Sequence, residues 1–193
     1  RQLMGWLGVA DDTIKKLAIE AMRHEEGDKT YTKKKFVSFN KKSLPQDSKR
    51  LEVWLERYVD KKLTTDEANK VDSVLNYLNG RGISPDWYHF TYSPSKHFDF
   101  NNRVIVPFYW RGDIVGYTGR MLEPNEKIKY YTEVQPGYVF NMDAQDWTRK
   151  FVIVTEGPFD AISVSGVSIL GSEINDTQRE LIDALGRKVI VVP

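Results

Sequence analysis

The 193-residue sequence contains no cysteine. That excludes disulfides and cysteine-ligated zinc within the chain, and it fits a reducing compartment. Long apolar runs are missing as well. None approaches the roughly 20 residues that span a bilayer, and Arg1-Gln2-Leu3-Met4 has no signal-peptide core. No internal repeat or low-complexity stretch is present, which excludes solenoids and polar tails. Histidine is scarce, and His24, His89 and His97 are too scattered to form a ligand pattern. An excess of one charge is also lacking, since the net charge is +1. Its distribution is uneven, however. Residues 29–62 hold eleven Lys/Arg against four Asp/Glu, and the remainder is acidic on balance. Such a segment is either a solvated lysine surface or an electrostatic footprint for a phosphate backbone.

What is present supports a folded core. Hydrophobic residues make up 40% and aromatics 12%, enough for one large domain or two small ones. The first eighty residues read mainly as helices. Ile14, Leu17, Ala18 and Ala21 fall at helical spacing, as do Leu51, Trp54, Leu55 and Tyr58. Val71, Val74, Leu75 and Leu78 form a third stripe, opened by a Thr64-x-x-Glu67 capping box and closed by Gly80. Residues 36–39 are expected to be a short strand bordered by lysines. From about residue 100 the pattern turns to strands. Val104-Ile105-Val106 and Ile114-Val115-Gly116-Tyr117 flank a hairpin turn at Arg111-Gly112-Asp113, and 129–132 and 138–140 are further short strands.

The last forty residues alternate short apolar runs with helices. Phe151-Val152-Ile153-Val154, Val167-Ser168-Ile169-Leu170 and Val189-Ile190-Val191-Val192 are separated by two helical stretches, the pattern of a parallel sheet built from βαβ units. The fold expected is an α+β N-terminal part with a mixed sheet, followed by an α/β parallel sheet. The expected division is 1–98, mostly helical with the basic segment 29–62; 99–148, the mixed-sheet segment; and 149–193, the parallel unit.

In open parallel sheets ligands sit beyond the carboxyl ends of the strands. Glu156 stands at such an end, Gly157 permits a sharp turn, and Pro158 suits the first position of a helix. Asp160 follows in the first helical turn. Two carboxylates four residues apart there can hold a hard cation through oxygen ligands, or can simply be helix-start chemistry. Asn175 and Asp176 read as a helix cap.

Glu156-Gly157-Pro158-Phe159-Asp160, after its apolar strand, resembles the Glu-Gly-x-x-Asp motif of the Toprim fold. Arg103-Val104-Ile105-Val106-Pro107-Phe108, Gly116-Tyr117-Thr118-Gly119-Arg120, Lys129-Tyr130-Tyr131-Thr132 and Tyr138-Val139-Phe140-Asn141-Met142 precede it, with Tyr77-Leu78-x-x-Arg81-Gly82-Ile83 upstream. In that order these stretches resemble the catalytic core of bacterial and phage-type DNA primases over roughly residues 75–193. Thr132 stands where that family has asparagine, and residues 133–137 lack its basic residue. The resemblance implies template-directed synthesis of short RNA primers on single-stranded DNA by metal-dependent nucleotidyl transfer. Glu156 would be a metal ligand or a base toward the 3′-hydroxyl, and Asp160 would support it. Arg103, Arg120, Lys129 and Tyr130 would contact nucleotide or template.

The implied cofactor is Mg²⁺ or Mn²⁺, with zinc only in a module upstream of Arg1. The implied partners are a single-stranded DNA template, ribonucleoside triphosphates and a replicative helicase, with no membrane, in the cytoplasm or a viral host's cytoplasm. The family's Asp-x-Asp would follow Pro193, so the Toprim-like unit is expected to be incomplete and the stretch alone inactive. Lys33-Lys34-Lys35 and Lys41-Lys42, interleaved with Tyr31, Phe36 and Phe39, are expected to add template contacts. The rivals are another Toprim enzyme, nuclease or topoisomerase, and a non-catalytic nucleic-acid-binding replisome module.

Overall fold

A computed structural model describes residues 37–123 and 128–192, together with Thr13 and Lys16. The chain divides into two compact units, Arg1–Ser38 and Phe39–Pro193. The helix expected around residues 14–21 lies outside the described residues, and everything below concerns the second unit.

Helix α1 (Leu51–Val59) buries Leu51 and Trp54. The Trp54 indole N–H donates to the Tyr92 carbonyl at 3.1 Å, so the ring is buried without stranding its polar atom. Helix α2 (Thr65–Gly80) buries Val71, Val74 and Leu78 and opens with the expected capping box. The Thr64 hydroxyl accepts from the Glu67 N–H at 3.2 Å, and the Glu67 carboxylate accepts from the Thr64 N–H at 2.8 Å. The left-handed residue past its end is Gly82 (φ 68°), two positions beyond the expected stop.

Both helices pack on a five-stranded sheet of order β1-β2-β3-β4-β5. The strands are β1 (Lys49–Arg50), β2 (Thr91–Tyr92), β3 (Arg103–Trp110), β4 (Asp113–Met121) and β5 (Tyr130–Glu133). Every pairing in it is antiparallel, so this sheet is not mixed. The β3–β4 hairpin closes through Arg111 (φ 53°) and Gly112 (φ 83°), two consecutive left-handed residues as a tight two-residue turn requires. Direct partners across the sheet share a face. Val104, Arg120 and Tyr130 are therefore on one face with Val106, Thr118 and Thr132, whereas Ile105, Gly119 and Tyr131 are on the other. The first face carries the main core, which includes Trp54, Leu78, Phe90, Val106, Phe108 and Tyr138.

The parallel unit comes next, as expected. Its three strands, β6 (Phe151–Thr155), β7 (Val167–Ser168) and β8 (Lys188–Val192), run in the order β7-β6-β8 with parallel pairing. Helices α3 (Pro158–Val164) and α4 (Asp176–Asp183) connect them. Asn175 caps α4 in a box with Gln178, whose side-chain amide also donates to the carbonyls of Tyr138 and Ile169, each at 2.9 Å. These bonds tie the loop after the first sheet to the parallel unit. Phe159 of α3 belongs to the main core, so α3 is packed against the helical face of the first sheet as well as its own.

Two expected strands do not form. Of the expected strand 36–39, Phe36 lies outside the described residues and 37–39 form no strand; Phe39 instead packs edge-on against Trp110 and Tyr138 at 5.0 and 5.4 Å. Of 138–140, only Phe140 pairs, in a lone antiparallel bridge to Ser168. Tyr138 is instead a buried core ring whose hydroxyl donates to the Tyr109 carbonyl at 3.0 Å.

Candidate active site

A cleft of about 400 Å³ opens where the carboxyl end of β6 meets the edge of the first sheet. One wall is Glu156, Gly157, Pro158 and Asp160, with Leu170 and Gly171 beyond β7; the other is Thr118, Tyr130 and Thr132. The sequence dictates the first wall. The apolar β6 is buried at Val152 and Val154, and the turn out of it exposes the next side chain, Glu156. Its main chain is held firmly. The Ser168 hydroxyl donates to the Glu156 carbonyl at 2.7 Å, and the Thr155 hydroxyl donates to the Gly157 carbonyl at 3.0 Å. Pro158 then starts α3, and Asp160 is exposed in its first turn.

Neither carboxylate forms an ion pair among the described residues. No cluster of three or more His, Cys, Asp or Glu side chains placed to hold a metal occurs among the described residues either. Two carboxylates nonetheless fit Mg²⁺, which prefers oxygen donors and commonly takes one or two from protein, with water and phosphates supplying the rest.

Tyr77 and two arginines pack beside the cleft without lining it. The Arg120 Nε donates to the Tyr77 hydroxyl at 3.0 Å, and its guanidinium lies 4.5 Å from the centre of the Tyr130 ring. The Arg81 guanidinium lies 5.2 Å from Tyr77 and 5.0 Å from Phe159, the residue beside Asp160. Tyr77 thus links the end of α2 to the motif helix on one side and to β4 on the other. Neither arginine has an ion-pair partner among the described residues. Arg81 was not among the expected site residues. Its signal lay in the Tyr77–Arg81 spacing, which sets the two side chains one turn apart as α2 ends.

Glu156, Asp160 and Tyr130 are therefore brought together in the cleft, with Arg120 against Tyr130. Arg103 and Lys129 are not. Arg103 pairs with Met121 on the outer face and is 2% exposed. Its guanidinium donates to the carbonyls of Phe98 (3.1 Å), Gly119 (3.1 Å), Ile128 (3.3 Å) and Lys129 (3.4 Å). Burial pushes its pKa down, partly countered by Asp99. We reassign Arg103 as a structural clamp: four backbone acceptors occupy donors that a phosphate would need. Lys129 is exposed but does not line the cleft.

The glycines beside Arg120 also serve the fold. A Cβ on Gly116 would stand 2.4 Å from the Glu133 carbonyl oxygen, and one on Gly119 would stand 3.1 Å from the Arg103 Cδ. Both make room for protein rather than for a phosphate.

Of the basic stretch, Lys33, Lys34, Lys35, Tyr31 and Phe36 lie outside the described residues. Lys41 pairs with Asp113 and Lys42 with Glu133, each at 2.7 Å. Phe39 is a core partner, not a stacking surface. Glu173 is exposed and does not line the cleft.

The fold, an antiparallel sheet joined to a parallel three-stranded unit, is similar to that of solved bacterial primase catalytic cores. The Aquifex aeolicus primase, solved with its zinc-binding and RNA polymerase domains, matches with a TM-score of 0.53 at 20% identity, over 74% of this chain and 47% of that one. The Escherichia coli primase catalytic core matches at 0.53 and 15% identity, over 72% and 59%. A DnaG primase catalytic domain bound to single-stranded DNA matches at 0.53 and 15%, over 73% and 63%. The chain thus spans about half of the first of these and under two thirds of the others. No family model matches the sequence, and no curated protein does. Among the described residues no helix is long and apolar enough to cross a membrane.

Proposed function

We propose that this chain is the catalytic core of a primase, joining ribonucleotides into short primers on a single-stranded DNA template. The observation that carries the reading is the exposed Glu156 carboxylate at the carboxyl end of β6, without an ion-pair partner among the described residues and facing a cleft whose far wall holds Tyr130. The Toprim-like strand–Glu–Gly–x–x–Asp arrangement and the primase-core fold support it.

The reaction has a 3′-hydroxyl attack the α-phosphorus of a triphosphate while pyrophosphate leaves. Such transfer depends on in-line positioning and charge neutralisation more than on covalent help from the protein. Glu156 and Asp160 would hold Mg²⁺ or Mn²⁺, which when bound neutralises phosphate charge and activates the attacking oxygen. Glu156 would alternatively accept the proton of the 3′-hydroxyl. Arg120 and Arg81, both oriented by Tyr77, bind the triphosphate. Guanidinium groups suit phosphate because their planar donors match its oxygens two at a time. Tyr130 backs Arg120 and offers its ring to a base. The Thr118 and Thr132 hydroxyls are hydrogen-bonded to each other at 2.7 Å, which leaves at most one hydroxyl hydrogen of the pair for a sugar or phosphate oxygen. Single-stranded DNA, ribonucleoside triphosphates and a replicative helicase are the partners this reading entails, in a cytoplasmic setting.

Labelled ribonucleotide incorporation on a single-stranded template with Mg²⁺, using the full-length gene product, tests the reading. Glu156→Gln removes the charge at constant shape, and synthesis should fall at least about a hundredfold while template affinity is unchanged. Undiminished synthesis in that variant would remove Glu156 from the mechanism.

A further inference from the structure

The outer face of the antiparallel sheet, opposite the cleft, carries a column of rings that the catalytic reading does not use. Phe98 stacks on Tyr131 at 4.7 Å and 28°, and Tyr131 stacks on Tyr117 at 6.3 Å and 16°. The His97 ring lies 4.0 Å from Phe98. Tyr117 is buried, but Phe98 is 52% exposed and His97 is exposed beside it. The column therefore starts in the core and ends in solvent.

The backbone beneath it is strained. Phe98 (φ 50°, ψ 29°) and Asp99 (φ 56°, ψ 31°) are consecutive left-handed residues. For a bulky side chain this conformation is rare and persists only where the surroundings enforce it. Here they do. The Arg103 Nε donates to the Phe98 carbonyl at 3.1 Å, and the Asn101 N–H donates to the Ser95 carbonyl at 2.8 Å. The turn holds a phenyl ring outside the core in a fixed position. Lys96 lies two residues before Phe98 and Lys129 two before Tyr131, both exposed and without an ion-pair partner among the described residues.

We propose that His97, Phe98 and Tyr131 form a stacking platform for bases of the single-stranded DNA template, a site separate from the cleft; this rests on the primase reading above. A nucleobase extends the ring column by one layer, and such stacking is indifferent to sequence because every base has a π face. Lys96 and Lys129 neutralise the phosphates on either side. A protein side chain would ask for a concave apolar pocket, whereas this surface offers exposed rings, with Lys96 and Asp99 in the same segment.

Fluorescence anisotropy with two labelled probes of equal length, an oligothymidylate and an abasic oligodeoxynucleotide, tests the platform on the full-length protein. Phe98→Ala should weaken oligothymidylate binding about fivefold or more and leave the abasic probe unaffected. Phe98→Trp should retain wild-type affinity, and its added indole fluorescence should be quenched by oligothymidylate but not by the abasic probe. Equal binding of both probes by wild type and Phe98→Ala, equal losses for both, or an added indole signal that oligothymidylate leaves unquenched overturns the platform alone. A wild-type protein that binds neither probe overturns the primase reading as well.

Discussion

Arg103 shows how a charged side chain can be read wrongly from its neighbours. Its place in an Arg-hydrophobic-Pro stretch made it a phosphate contact by resemblance, yet strand alternation puts it on the face away from Glu156. The register of the β3–β4 hairpin decides this, and it is set by the turn together with a one-residue shift between Phe108 and Tyr109. What the sequence could not reveal was the set of four carbonyls that receive the guanidinium, because two come from residues 25 and 26 positions away. Replacing Arg103 with Met leaves those acceptors without a donor in a buried place. We expect a loss of about 3 kcal/mol in unfolding free energy, read from the urea midpoint, with ribonucleoside triphosphate affinity below the transition unchanged. A drop in affinity without a drop in stability would return Arg103 to the ligand contacts. Arg81 is the converse case: legible as one turn beyond Tyr77, but given meaning only by Phe159, which long-range packing brings under it.

Among the elements, those with strong local signals were legible. The capping box fixed the start of α2, apolar stripes fixed α1 and α2, and short apolar runs between helices fixed the parallel β6-β7-β8 unit. The elements without such signals were missed. β1 and β2 are two residues each and exist only because β3 offers its edge, while the apolar run 138–140 is spent in the core. The β4–β5 pair matters most for the cleft, since it carries Thr118, Tyr130 and Thr132. Its fit depends on Gly116, where an added Cβ would lie 2.4 Å from a backbone oxygen of β5 that cannot swing aside. Gly116→Ala should therefore destabilise the protein by about 1–3 kcal/mol and displace the Tyr130 wall. Calorimetric melting measures the first effect. Nucleotide incorporation measures the second and should fall even at temperatures where the variant is folded. Unchanged melting would mean that β5 moves freely.

At the scale of the whole molecule, two sheets of different kind meet at one opening. The antiparallel sheet contributes a wall of hydroxyls and an arginine-backed ring; the parallel unit contributes acid at a strand end. Phe159 and Gln178 lock the two together, Phe159 through the shared core and Gln178 through its bonds to Tyr138 and Ile169. The fold class and the acidic wall were legible because each is written in contiguous residues. The meeting of the walls was not, because it is set by packing between segments far apart in the chain. On the proposed function, Glu156 holds a divalent cation in this opening. Water-proton relaxation during Mn²⁺ titration, with a ribonucleoside triphosphate present, measures that directly. Wild-type protein should enhance relaxation, and Glu156→Gln should weaken the binding by at least about tenfold, the scale on which even an outer partner affects a metal site. Equal Mn²⁺ affinity in the two proteins would mean that Glu156 is not a metal ligand.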